Sequence, residues 1–151
     1  MSIKNEDVRY IFDHLSDAEK EKFNEGTVLI TGCGGFLGYY FMNFFKAFGK
    51  ELNIRKVIAL DNFMLGTPHW IKEMREDPLF DIRELDIISG HISDIPGSGD
   101  ADYIIHMASI ASPTFYRKYP METLDANVWG LRSLLDYYKD KGVRGLLFFS
   151  S

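Results

Sequence analysis

A single cysteine, Cys33, among 151 residues leaves no partner for a disulfide and no set of thiolates for a cysteine-based zinc site. Apolar runs are short, and none approaches the roughly 20 residues of a membrane-spanning helix. The opening stretch, MSIKNEDVRYIFDH, lacks the basic start and apolar centre of a signal peptide. Basic charge is scarce too: 17 Lys and Arg against 22 Asp and Glu leave a net charge of −5, which argues against a strongly basic nucleic-acid binder. Low-complexity segments, internal repeats and linkers are absent. These absences leave, as the expectation, a soluble domain in a reducing, cytoplasmic compartment, with neither nucleic acid nor membrane as partner.

What is present is apolar material in a regular order. Hydrophobic residues make up 46% of the chain and aromatics 15%, enough for a substantial core. Residues 1–25 read as a helical extension: Val8, Ile11, Phe12 and Leu15 recur at helical spacing, and Ser16 with Glu19 forms a capping box for a second short helix. From residue 26 the character changes. Thr27–Thr31, Val57–Leu60, Phe80–Leu85, Tyr103–Met107 and Gly145–Phe149 read as strands. Helices are expected over Phe36–Phe48, from Trp70 to about Arg75, and over Glu122–Lys141, the last with apolar Leu124, Val128, Leu131, Leu134 and Leu135 and ended by Gly142. Ser89–Gly99 and Ala108–Pro120 read as loops. Strands alternating with helices imply an α/β, doubly wound, Rossmann-like parallel sheet of order 3-2-1-4-5 in a three-layer αβα arrangement. A ligand then sits at the carboxyl ends of the strands, near the switch between strands one and four.

The strongest motif is Thr31-Gly32-Cys33-Gly34-Gly35-Phe36-Leu37-Gly38, which ends the first strand and opens a helix. Glycines at 32, 35 and 38 permit a tight turn, close approach to a pyrophosphate and helix-on-strand packing. The helix N-terminus offers the phosphates unpaired N–H donors. Asp61, at the end of the second strand, suits the two ribose hydroxyls of a dinucleotide and repels a 2′-phosphate, and Asn62 and Phe63 bring no arginine to hold one. NAD is therefore expected over NADP. No Gly-Lys-Ser/Thr follows the loop, which disfavours a nucleoside triphosphatase.

These residues resemble the extended short-chain dehydrogenase/reductases, specifically the NAD-dependent epimerase/dehydratase family acting on nucleotide sugars. Residues 31–38 are similar to that family's T-G-x-x-G-F-[IL]-G pattern, and Leu60-Asp61-Asn62-Phe63 to its ending of strand two. Leu85-Asp86-Ile87 resembles the acidic-hydrophobic pair beside the adenine. His106-Met107-Ala108-Ser109 resembles the H-x-A-[AS] whose backbone borders the cofactor, and Asn127 with Gly130 the N-x-x-G of the next helix. The resemblance covers about residues 26–151 and leaves the extension without a counterpart. Asp61-Asn62-Phe63 with Gly66, and His106–Pro113 followed by Tyr116 and Pro120, look most like UDP-glucuronate decarboxylases, with dTDP-glucose 4,6-dehydratases close behind.

The resemblance implies chemistry in which a sugar hydroxyl loses its proton to a tyrosine while its carbon gives a hydride to NAD, leaving a transient 4-keto sugar. It places a hydroxyl residue just after strand five, at Ser151 or at the position that would follow it. It places the tyrosine and its lysine downstream, so residues 26–151 are expected to be the NAD-binding front part of a longer enzyme, with 1–151 alone inactive. Cofactor contacts are expected from Gly32, Gly35, Phe36, Leu37, Gly38, Asp61, Asn62, Asp86, Ile87, Met107, Ala108, Ser109 and Asn127. A carbonyl reductase of the same superfamily and a non-catalytic dinucleotide sensor are the alternatives. A homodimer is expected, with Leu131, Leu134, Leu135, Tyr137 and Tyr138 as candidate contacts or, equally, as a buried helix face.

Some residues invite a chemical reading that their context does not support. Tyr137 and Lys141 share the Tyr-x-x-x-Lys spacing but precede strand five, at a helix end where Lys141 suits the dipole. Cys33 lies at a helix N-terminus, where thiols can be acidified, yet reads as a small residue in a variable slot. His14, His69 and His91 show no metal-ligand spacing, and His106 reads as a structural histidine beneath the cofactor. Ser109, Ser112, Thr114, Tyr116 and Arg117 follow strand four, where substrate is bordered in such sheets. Trp70 and Trp129 read as packing residues.

Overall fold

The computed structural model describes residues 5–149. Five strands run parallel in one sheet: β1 (Thr27–Thr31), β2 (Lys56–Asp61), β3 (Phe80–Glu84), β4 (Tyr103–His106) and β5 (Gly145–Phe148), in the order β3-β2-β1-β4-β5. The doubly wound order read from the sequence is the observed one. Every side chain of β1 is buried, because helices cover both faces of this central strand. On one face Val28, Ile30, Val57, Ala59 and Ile105 pack with α1 (Asn5–Asp13), α3 (Phe36–Phe48) and α4 (His69–Met74). On the other, Leu29, Ile58, Leu60 and Ile104 pack with Ile87, Ala126, Leu134 and Tyr138.

α1 and α2 (Asp17–Glu21) lie against this framework. Val8 and Phe12 enter the first core, Phe12 stacking on Phe48 at 4.2 Å. Ile11, expected on the same face, is exposed. The Ser16–Glu19 capping box is formed, the Ser16 hydroxyl accepting from Glu19 N–H while the Glu19 carboxylate accepts from Ser16 N–H. Tyr103 Oη donates to the Lys22 carbonyl at 2.8 Å, tying the segment after α2 to the start of β4. At the same end of the sheet Asp102 accepts from Thr27 N–H at 2.8 Å and pairs with Arg144 at 3.0 Å.

The second half departs from its sequence reading in three places. The stretch expected as loop before Pro120 contains α5 (Pro113–Lys118), started by Pro113 in the first turn, where a missing N–H costs nothing. Pro120 starts α6 (Pro120–Asp125) by the same device. The single long helix is instead α6, a π-turn over Ala126–Gly130, and α7 (Leu131–Tyr138). The wider turn rotates the apolar positions out of one stripe. Leu134 and Tyr138 are buried, while Leu124, Val128 and Leu135 are exposed. Trp129, expected to pack, is 55% exposed, with Arg132 over its ring; Trp70 packs edge-on against Tyr39. Among the described residues no helix is long and apolar enough to cross a membrane.

Candidate dinucleotide cleft

The two halves of the sheet diverge beyond the ends of β1 and β4. The crevice there has a volume of about 220 Å³. Its floor is built from the Gly-rich loop. Gly32 has φ +79°, a left-handed conformation that a β-carbon strains. A β-carbon on Gly32 would also stand 2.6 Å from Met107 C and Ala108 N, so the loop touches the backbone leaving β4. Gly38, in the first turn of α3, is buried, and a β-carbon there would strike the Cys33 carbonyl. The N–H groups of Gly32 and Cys33 both donate to the Leu60 carbonyl, pinning the loop to β2.

Asp61 closes one side. Its Oδ2 accepts from Gly34 N–H at 2.9 Å and its Oδ1 from Phe63 N–H at 2.8 Å. Each carboxylate oxygen keeps a further lone pair for a hydroxyl donor. Phe63 is held at φ +48°, unusual for a bulky residue and maintained by the Asp61 contact. Asp86 and Ile87 follow β3, with Asp86 Oδ1 accepting from Ile88 N–H at 2.9 Å. Across the cleft, Thr31 Oγ1 lies 2.6 Å from His106 Nδ1, and both side chains are buried. Burial holds the His106 imidazole below the ordinary histidine range, the Ala126 backbone opposing this in part. The same burial raises the Cys33 thiol well above the usual range, with Asp61 adding to it, so Cys33 is an inert packing residue.

Of the residues singled out from the sequence, Gly32, Gly35, Asp61, Asn62, Asp86, Ile87, Met107, Ala108 and Ser109 line the cleft together. Phe36 and Leu37 sit in the first turn of α3 with exposed side chains, and Gly38 packs beneath; none of the three lines it. Asn127, in the π-turn, also lies outside the lining. Its Nδ2 donates to Ser109 Oγ at 2.8 Å and to the Thr123 carbonyl at 2.7 Å, so it supports a lining residue. Ser151 lies outside the described residues. Ser112, Thr114, Tyr116 and Arg117 fall on or beside α5 and do not line the cleft. Tyr137 contacts Ser98 Oγ at 3.1 Å, before β4 and away from the strands' carboxyl ends, with Lys141 over its ring.

The sequence reading missed Gly34, Phe63, Met64, Leu65, Glu122 and Ala126, all in the lining. For Gly34 the signal was its place inside the Gly-rich loop; a β-carbon there would crowd Asp61 Oδ2 at 3.2 Å. Ala126 had none, because the turn that holds it is not a regular helix, and Glu122 in α6 reads as an ordinary helical carboxylate.

Residues 28–151 match the NAD dependent epimerase/dehydratase family. The chain is 32% identical over 124 residues to UDP-glucuronic acid decarboxylase 6 of Arabidopsis thaliana, covering 82% of this chain and 33% of that protein. It is 31% identical over 141 residues to UDP-glucuronic acid decarboxylase 1 of Danio rerio, covering 91% of this chain and 29% of that protein. The chain thus spans about a third of the length of these relatives. Among solved structures, an epimerase from Methanothermobacter thermautotrophicus superposes with TM-score 0.69 at 24% identity, covering 89% of this chain and 38% of that one. A dTDP-glucose 4,6-dehydratase from Streptomyces venezuelae, solved with NAD bound, superposes with TM-score 0.65 at 23% identity, covering 80% and 38%.

Proposed function

The chain belongs to the NAD-dependent epimerase/dehydratase family, and from that premise we propose that it is the dinucleotide-binding part of an enzyme that remodels nucleotide sugars. One observation carries the reading. Gly32, Asp61, Asp86 and the Met107–Ala108 backbone come from the ends of four different strands and converge on one cleft. The residues fit NAD: a Gly-rich turn packed tightly against the Met107–Ala108 backbone, a helix N-terminus beside it, and a fixed carboxylate with free lone pairs.

The α3 N-terminus receives the pyrophosphate, and Asp61 receives the adenosine ribose hydroxyls and excludes a 2′-phosphate. Asp86 and Ile87 border the adenine. Met107, Ala108 and Ser109 border the nicotinamide side, with Asn127 steadying Ser109. The chemistry NAD would supply at this site is reversible acceptance of a hydride from a sugar carbon. In this reading Ser151, or the position after it, would hydrogen-bond the sugar hydroxyl that loses its proton, and none of the described tyrosines is assigned as the base that removes it. The product of that step is a transient 4-keto sugar, which acidifies its neighbours. The similarity to UDP-glucuronic acid decarboxylases favours loss of a carboxylate from a UDP-uronic acid as the consequence. Of the residues expected at a dimer contact, Leu134 and Tyr138 are buried in the core and cannot serve, whereas Leu135 is exposed; in this reading a second copy pairs on the apolar surface that Leu135 of α7 shares with Leu124 of α6 and Val128 of the π-turn.

Calorimetric titration of the chain with NAD and NADP tests the binding; saturation with NAD, and an affinity at least tenfold lower for NADP, is the expected result. UDP-glucuronate given to the protein isolated from its own cells tests the chemistry. Release of CO2 without net change in nicotinamide absorbance supports the reading. Steady consumption of reduced cofactor on a carbonyl compound would replace it by a reductase, and NAD binding without turnover by a sensor.

A further inference from the structure

His106 does not line the cleft, yet it lies directly beneath it. Thr31, the adjoining Met107–Ala108 backbone and Ala126 all line the cleft and come from β1, the end of β4 and the π-turn. Thr31 Oγ1 sits 2.6 Å from His106 Nδ1, and the His106 ring stacks on Phe148 at 5.5 Å. Ala108 N–H reaches the same Thr31 Oγ1 over a long 3.4 Å. The hydrogens can be counted. Thr31 Oγ1 has one hydrogen and two lone pairs, so while accepting from Ala108 it can either donate to His106 Nδ1 or accept from it; a relay takes the arrangement in which the hydroxyl donates. The imidazole then carries its proton on Nε2, which is buried and has no hydrogen-bond partner among the described residues. A polar pair in an otherwise apolar layer costs stability unless it supplies something an apolar pair would not.

We propose that Thr31 and His106 form a relay that holds the Met107–Ala108 peptide in place as the floor of the dinucleotide site, with His106 a positioning residue acting through the Thr31 hydroxyl. This rests on the NAD reading above. The peptide is gripped from two sides: Gly32 permits its approach, since a β-carbon there would stand 2.6 Å from Ala108 N, and the Thr31 hydroxyl fixes its direction. His106 keeps that hydroxyl turned so that its lone pair, not its hydrogen, meets Ala108 N–H.

The test combines nitrogen NMR of the unaltered chain with calorimetric NAD titration of Thr31→Val, Thr31→Ser, His106→Phe and the Thr31→Val/His106→Phe double variant. The expected spectrum is that of a neutral imidazole protonated at Nε2. Thr31→Val and His106→Phe are each expected to weaken NAD binding roughly tenfold, the effect of one hydrogen bond. Thr31→Ser keeps affinity within about twofold, and the double variant binds no more weakly than either single one, because the two act as one device. A purely structural role would lower melting temperatures and leave NAD affinity unchanged in folded Thr31→Val; that result, an Nδ1-protonated ring, or additive losses overturns the relay. If His106→Phe does not fold, the Thr31→Val and Thr31→Ser pair and the NMR measurement decide. Failure of the unaltered chain to bind NAD overturns the parent reading and the relay with it, whereas unaltered binding across the variants overturns the relay alone.

Discussion

Replacing Gly32 with alanine separates two costs that usually come together. At φ +79° an alanine pays for the left-handed backbone, about 1–2 kcal/mol. Its β-carbon would also lie 2.6 Å from Met107 C and Ala108 N and 2.7 Å from Met107 O. All three are backbone atoms, so no flexible side chain can yield. Restoring ordinary contact moves the Met107–Ala108 peptide by something under an ångström, an overpacking that costs about 1–3 kcal/mol more. The total for Gly32→Ala is about 2–5 kcal/mol. Gly142 supplies the control: its φ is +70° and nothing lies within 4 Å of its would-be β-carbon. Gly142→Ala therefore bears the backbone cost alone, about 1–2 kcal/mol. Urea denaturation of the two variants measures the difference. NAD titration then reads the displacement, since the peptide that moves is part of the cleft in one variant and remote from it in the other. Equal losses of stability, or an unchanged NAD affinity in Gly32→Ala, would refute the close-approach reasoning.

Other expectations rest on separate parts of the molecule. Asp61→Asn removes the negative charge while leaving an oxygen for one backbone N–H; NAD affinity is expected to fall about tenfold and the preference over NADP to shrink, as competitive titrations would show. Leu134→Ala, in the second core, costs about 2–5 kcal/mol in chemical denaturation, whereas Leu135→Ala, at a side chain 49% exposed, is near neutral. Leu135→Asp, at the face proposed to pair with a second copy, is expected to give a monomer in sedimentation without loss of fold, and an unaltered chain that is already monomeric overturns the pairing. Because burial depresses His106, the folded chain resists a proton that the unfolded chain accepts from about pH 6.5 downward. That contribution to stability is complete above this pH and is lost progressively as pH falls toward the depressed folded-state value. Denaturation midpoints at pH 7 and pH 5 should differ less in His106→Gln than in the unaltered chain.

The sequence by itself determined the order of the elements. Five β-rich runs separated by helical patterns admit few arrangements, and a Gly-rich turn between a buried strand and an apolar helix marks the loop at Gly32 wherever the rest of the chain goes. Asp61 was legible for the same reason, standing where a parallel strand ends, whereas Asp86 and Met107 were legible only through the family resemblance; all three line the cleft. Only the tertiary structure decided what lies between these points. Thr31 and His106 are 75 residues apart, and their hydrogen bond exists because β1 and β4 pair in a register that sets them side by side. Ala126 enters the cleft at the start of a π-turn that a helical pattern conceals, and that turn, not the apolar count, sets which leucines of α7 face the core. Local propensity and periodicity act between residues near in sequence. The cleft's shape depends on strand register and on backbone contacts such as Gly32 with Met107–Ala108, which form only when distant segments meet.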